Sequence, residues 1–230
     1  MHCGHHKSGT VWFRQVLLEV SRAYGLRFRA GTGRPVEQDA DVAFYENAQV
    51  FRRDLLDGRA FRGSHLIRDP RDLIVSGYEY HRVTTEPWAT SPDPCFGGLS
   101  FQAYLHTLDE HDGLLAEIDW FSRETAPAMR AWDYGQPEFL ELRYEDVISD
   151  ETAAFATLFR WYGFDDRAVA LGVDAADRLS LRRGGAKAGH ARSGAPGEWR
   201  DRLAPDHLDR FKERTGDLVV ALGYESDFDW

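Results

Sequence analysis

Between Gly4 and Phe13 the chain reads GHHKSGTVWF, which sets a lysine, two hydroxyls and a glycine in one short loop ahead of an apolar run. Lys7, Ser8 and Thr10 are residue types that grip phosphate, and free backbone N–H groups at the start of a helix add to such a grip. Gly9 follows Lys7 here, so the spacing departs from the Walker pattern Gly-x-x-x-x-Gly-Lys-[Ser/Thr]. Trp12 is expected to offer a flat ring to a base. Taken alone, a capped helix carrying a core tryptophan accounts for the stretch equally well.

Two later segments carry the same kind of chemistry. In RDPRDLIVS, Arg68 to Ser76, an arginine fork at a strand end is followed about two helical turns later by a hydroxyl, a pair able to hold a second phosphate. A surface salt-bridge set, Arg68 and Arg71 with Asp69 and Asp72, is the other reading of that segment. In RSGAPGEWR, Arg192 to Arg200, glycines let the backbone amides turn toward an anion, and Arg192 adds charge beside Ser193 and Gly194.

The three motifs KSGTVW, RDPRDLIVS and RSGAPGEW, in this order, resemble those of the sulfotransferases that use 3′-phosphoadenosine 5′-phosphosulfate, PAPS. Family members carry a Lys-Ser-Gly-Thr-x-Trp loop for the 5′-phosphosulfate and an Arg-(Asp/Asn)-Pro-(Arg/Lys)-Asp-x-x-x-Ser segment for the 3′-phosphate. A late Arg-x-Gly-x-x-Gly-x-Trp loop closes on that 3′-phosphate. Here Val11 and Ser193 depart from the commoner residues of the pattern. The resemblance implies that Lys7, Ser8, Gly9, Thr10, Val11 and Trp12 hold the 5′ end of the cofactor. Arg68, Ser76, Arg192, Ser193 and Gly194 would hold the 3′-phosphate, and Tyr144 would pack near the adenine. It further implies that the Lys7 ammonium stabilises the charge developing on the bridging oxygen as the sulfuryl group leaves. In-line attack by an acceptor hydroxyl, or less readily an amine, then calls for a base and for no metal. Glu46, at the end of the strand candidate DVAFYENA, stands where the family places that base, and His65 is the competing residue. The cluster His2, His5 and His6 lacks acidic or cysteine partners at helical spacing and argues weakly for metal.

The elements that must position these residues are legible in outline. Trp12, Phe13, Val16, Leu17, Val20 and Tyr24 recur at helical spacing after the loop. MHCG, GLRFRA, DVAFYENA, SHLI and EFLELRYED are strand candidates. Asp69 suits a helix N-cap with Pro70 at the first helical position and Asp72 able to complete a capping box. Residues 83 to 99, with three prolines, read as a loop. Ser100 then caps FQAYLHTL, and a second helix is expected from about Leu114 to Trp132. DETAAFATLFRWYG and a C-terminal segment weakened at Gly216 read as further helices. The expected architecture is a single α/β domain over residues 1–230, a central parallel sheet flanked by helices in the P-loop NTPase-like manner. A helical and loop insertion at about 83–135 would cover the acceptor side, with His81 among its candidate pocket residues.

At 230 residues the chain can bury one sizeable core. A net charge of -10 argues against a nucleic-acid or anionic-membrane surface. Cys3 and Cys95 form no ligand pattern and fit a reduced, cytoplasmic compartment. No apolar run reaches the roughly 18 to 20 residues of a membrane span, and no signal-peptide pattern opens the sequence. The expected partner is a small-molecule, carbohydrate or lipid acceptor. Two rivals stand beside this reading: a P-loop-like kinase, which would need magnesium, and a catalytically silent nucleotide-binding module.

Overall fold

A computed structural model describes residues 1–31, 40–56, 58–180 and 194–230. In chain order the regular elements are β1 (His2–Cys3), α1 (Thr10–Ala23), β2 (Phe28–Gly31), β3 (Val42–Tyr45), β4 (Gly63–Ile67), α2 (Pro70–His81), α3 (Pro87–Thr90), α4 (Phe101–His106), α5 (Glu110–Glu124) and α6 (Ala126–Ala131). They continue with β5 (Phe139–Arg143), α7 (Tyr144–Ser149), α8 (Glu151–Trp161), α9 (Asp166–Arg178), α10 (Trp199–Arg202) and α11 (Pro205–Ala221). The chain divides into two compact units, Met1–Arg68 with Ala131–Gly194, and Asp69–Arg130 with Ala195–Trp230.

The first unit holds the five-stranded sheet, ordered β2-β3-β1-β4-β5 with every pair parallel. Parallel strands need crossovers, and among the described residues α1 lies between β1 and β2 in the chain and α2 to α6 between β4 and β5, the alternation of an α/β fold. The two-residue β1 lies between β3 and β4, so the loop that leaves it emerges from the middle of the sheet. Trp12, Phe13, Val16, Leu17 and Val20 put one face of α1 into the same core as Phe155, Leu158 and Phe159 of α8. Burying each such side chain contributes about 1.5–3 kcal/mol. On α9 it is Gly172 that admits Phe159, whose ring would lie 2.1 Å from a Cβ at that position.

The second unit is built of helices, with no strand among its described residues. Asp69 caps α2 by accepting from the Arg71 N–H at 2.9 Å, and Pro70 stands in its first turn. Arg71, 1% exposed, is gripped by Asp69 and Glu225 and lies over the rings of Trp199 and Trp230. Its desolvation is offset only because two carboxylates and two rings surround it. The α11 helix is kinked at Thr215, beside the glycine expected to weaken it.

Three expected elements differ, and one is the strand candidate EFLELRYED, which ends at Arg143 where Tyr144 opens α7. The helix expected from Leu114 to Trp132 is α5, which starts earlier because Asp109 caps it through the Asp112 N–H, and the separate α6. The break falls at Thr125, just ahead of Pro127, a residue that cannot donate to a continuing ladder. The loop read at 83–99 contains α3 and a 3-10 turn at Pro94–Phe96, each started by the proline that had argued against helix. No helix among the described residues is long and apolar enough to cross a membrane.

Candidate functional site

The loop from Gly4 to Gly9 is held by its own turn. Ser8 Oγ donates to the His5 carbonyl at 2.8 Å and accepts from the His5 N–H at 3.1 Å. Lys7 has φ 67° and Gly9 has φ 96°, so two left-handed residues flank Ser8. A non-glycine residue at positive φ is uncommon and strained, and alternations of this kind curl successive N–H groups into a concave nest for anions. The helix α1 then begins with no side-chain cap at Gly9 and no acidic residue in its first turn. Both features leave the positive end of the helix dipole open to an anion.

Three motif segments meet on one side chain of the first unit. Tyr144 is 1% exposed, and its hydroxyl donates to the Gly194 carbonyl at 2.7 Å. The Arg68 guanidinium lies 4.5 Å from its ring centroid and donates to the Lys7 carbonyl at 3.3 Å. A Cβ on Gly9 would come within 3.2 Å of the Tyr144 ring, and one on Gly194 within 2.8 Å of its hydroxyl. Glycine is thus required at both positions by close approach as well as by backbone angle. Tyr144 was expected beside an adenine. Its burial makes it the post on which the Lys7 loop, Arg68 and Gly194 are assembled.

The remaining expected residues fall as follows. Trp12 is a correction: it is 0% exposed, lies edge-on to Phe13 and Phe155, and its Nε1 donates to the Ala176 carbonyl, so its ring faces are closed to a base. His65 is a second correction: wholly buried, with Nε2 on His5 and Nδ1 on Glu141, it cannot meet an acceptor as the base. Thr10 opens α1, and Val11 is half-buried beside it. Glu46 follows β3, with a 40% exposed side chain 3.7 Å from Arg14. Ser76 is half-buried on α2. Arg192 and Ser193 lie outside the described residues.

Within the second unit, Asp72 accepts from the N–H groups of Gly197 and Trp199 at 2.6 and 3.0 Å, fixing the late glycine segment to α2. The sequence offers Asp72 a capping task or a place in a surface salt-bridge set, because nothing local ties it to residues so distant. His81 is buried against Glu117, Nδ1 to Oε2 at 2.7 Å, and edge-on to Trp88 and Trp120. Trp88 stacks on Trp120 and stays 44% exposed, while Phe101 and Phe121 are core. His111, Asp206 and His207 cluster like metal ligands, but both ring nitrogens of His207 are engaged, with the Ala204 N–H and the His111 carbonyl.

No protein-family model and no curated protein matches the sequence. Solved structures do match its fold. The mouse sulfotransferase SULT7A1 complexed with PAP superposes with TM-score 0.56 at 15% identity, covering 95% of this chain and 83% of that one. Retinol dehydratase with retinol and PAP gives TM-score 0.55, and its complex with androsterone and inactive cofactor PAP 0.53, both at 16% identity over 95% of this chain and 80% of the other. The chain has the fold of these sulfotransferase-like structures, with a central parallel sheet.

Proposed function

We propose that this chain transfers a sulfuryl group from PAPS to a hydroxyl, or less readily an amine, of an acceptor. The observation that supports this most is the convergence of the Lys7 loop, Arg68 and Gly194 on Tyr144, three motif segments far apart in sequence. A nucleotide bearing phosphate at both its 5′ and 3′ ends needs more than one anion site. Magnesium-dependent phosphoryl transfer would leave the late glycine segment without a task.

In this reading the nest at Lys7–Gly9 and the N–H groups opening α1 bind the 5′-phosphosulfate, with Thr10 and Val11 contributing from the first turn. Lys7 neutralises charge on the bridging oxygen as the S–O bond breaks, an interaction stronger in the transition state than in the ground state. Arg68 serves the 3′-phosphate. Ser76, Arg192 and Ser193 join it on the strength of the motif spacing. Glu46, half-exposed at the end of β3, is the base that takes the acceptor proton. PAP in the solved structures of like fold agrees with PAPS as the donor, and the androsterone and retinol bound in two of them make a small apolar alcohol the first acceptor class to try.

The test is transfer of label from 35S-PAPS to a panel of phenols, sterols, sugars and lipid alcohols, without added metal. Labelled product from at least one class is expected. Label release only to water, together with phosphate transfer from magnesium ATP to the same panel, would contradict the reading.

A further inference from the structure

A buried hydrogen-bonded chain runs beneath the Lys7 loop. His65 and Glu141 are direct neighbours across β4 and β5, and His65 Nδ1 lies 2.6 Å from Glu141 Oε2. On its other side, His65 Nε2 lies 2.9 Å from Nε2 of His5, the residue bonded twice to Ser8 in the loop. The second Glu141 oxygen accepts from Trp132 Nε1 at 2.8 Å, and Trp132 stacks on His65 with centroids 4.0 Å apart. Both histidines are 0% exposed, and His5 Nδ1 has no hydrogen-bond partner among the described residues. Buried polar atoms without partners are rare and costly, so this one calls for a reason.

Counting protons along the chain supplies it. A neutral imidazole has one N–H and one bare nitrogen. When Glu141 is a carboxylate it accepts from His65 Nδ1–H. The bare His65 Nε2 then accepts from His5 Nε2–H, which leaves His5 Nδ1 a bare acceptor. When Glu141 is protonated every bond reverses: its O–H donates to His65 Nδ1, and His65 Nε2–H donates to His5 Nε2. His5 Nδ1 now carries the hydrogen and is a donor. The two arrangements use the same contacts and differ by one proton, exchanged with solvent at the 29% exposed Glu141 side chain.

We propose that Glu141, acting through His65, is a positioning residue for the Lys7 loop: its protonation sets the tautomer of His5, and thereby whether the loop's buried ring nitrogen accepts or donates a hydrogen bond.

The surroundings keep the histidines neutral while Glu141 titrates. Burial pushes His65 down to about 3, and burial with the nearby His65 holds His5 well below the ordinary range. Burial raises Glu141 to about 7, with Asp133 adding to the rise and the Trp132 hydrogen bond opposing it. The other titratable neighbours are His2, held low mainly by burial, Tyr134, raised by burial and by Glu141, and Cys3, which faces His65 across β1 and β4. The three histidines and Tyr134 are moved away from neutrality while Glu141 is brought to about 7, and the Met1 ammonium that acts on His2 is lowered by burial to about 6.

The experiment is long-range 1H–15N correlation on histidine-labelled protein between pH 5.5 and 8.5. His5 and His65 are expected to exchange their protonated nitrogens together, with one shared midpoint. In Glu141→Gln the amide oxygen must accept from Trp132, so its NH2 donates to His65 and locks the low-pH arrangement throughout. Trp132→Phe removes the donor that lowers Glu141, so the swap should persist with its midpoint moved to higher pH. Tautomers that stay fixed across the range, or a Glu141→Gln spectrum equal to the wild type at pH 8.5, would overturn the proposal.

The kinetic consequence rests on the sulfotransferase reading and the tautomers do not, so the two can fail separately. A change of tautomer at the ring of His5, whose backbone holds the Ser8 turn, should show as a shifted KM for PAPS in Glu141→Gln at pH 8.5, with kcat little changed. A swap seen in a protein that does not use PAPS would retire the reaction and leave the relay standing.

Discussion

Lys7 carries its charge on a backbone held at φ 67°, beside a helix start that has no acid to neutralise it. Strain of this sort costs about 1–3 kcal/mol and persists where the surroundings over-determine it. Here Arg68 on the Lys7 carbonyl and the Ser8 turn provide that support. Removing the ammonium should therefore affect chemistry more than folding. Lys7→Ala is expected to lower turnover with PAPS by about 100- to 1000-fold, the range seen when one preorganised charge partner of a transition state is lost. Its circular dichroism and melting temperature should match the wild type, and undiminished turnover would remove Lys7 from the mechanism. The identity of such residues was legible in the motifs, but their exposure was not. Trp12 sits in a motif beside the ligand loop, yet its ring is closed off by Phe155 and the Ala176 carbonyl. Both partners come from distant helices that no local pattern connects to it.

At the scale of elements, helices begin where short polar side chains cap them. Asp69, Ser100, Asp109, Asp150 and Asp165 each accept from an N–H of the first turn. Most of these starts could be read from residue type. The strands could be read as well, since buried parallel strands are short apolar runs. The helices α7 and α9 escaped notice for a physical reason. The buried face of α9 is made of Ala168, Val169, Gly172, Ala175 and Ala176, whose value lies in letting Phe159 approach closely rather than in their own bulk. The pairing of His65 with Glu141 was hidden in the same way, because cross-strand register is a property of two strands together. An element-scale expectation concerns Asp72, buried on α2 and accepting two backbone N–H groups. Asp72→Ala should speed hydrogen exchange at the Trp199 amide more than about tenfold and cost about 2–4 kcal/mol, since two donors lose their acceptor. Unchanged protection there would show that the glycine segment is held by something else.

For the molecule as a whole, buried neutral histidines make acid the weak side. His2 and His5 are held well below their ordinary range and His65 at about 3, in each case chiefly by burial. Groups whose folded values are depressed contribute stability that is complete above the unfolded value near 6.5 and is lost as pH falls toward the folded value. Glu141, raised to about 7, acts in the opposite sense and loses its contribution as pH rises through that value. Around pH 5 the unfolded chain binds more protons at the three histidines than the folded chain gains at Glu141. Stability should therefore fall on acidification between pH 6 and 4. Urea midpoints at pH 7.5 and 5 measure this directly, and equal midpoints would mean that the histidines are not neutral in the fold.

Calorimetric titration tests most directly whether the Lys7 loop, Arg68 and the glycine segment serve a nucleotide with phosphate at both ends. Adenosine 3′,5′-bisphosphate, ADP and ATP would each be titrated with and without magnesium. Binding of the bisphosphate that is independent of magnesium and at least about tenfold tighter than ADP, a difference of about 1.4 kcal/mol, is the expected result. Binding that favours ATP and requires magnesium would contradict the account and make this chain a phosphoryl-transfer protein on the same fold.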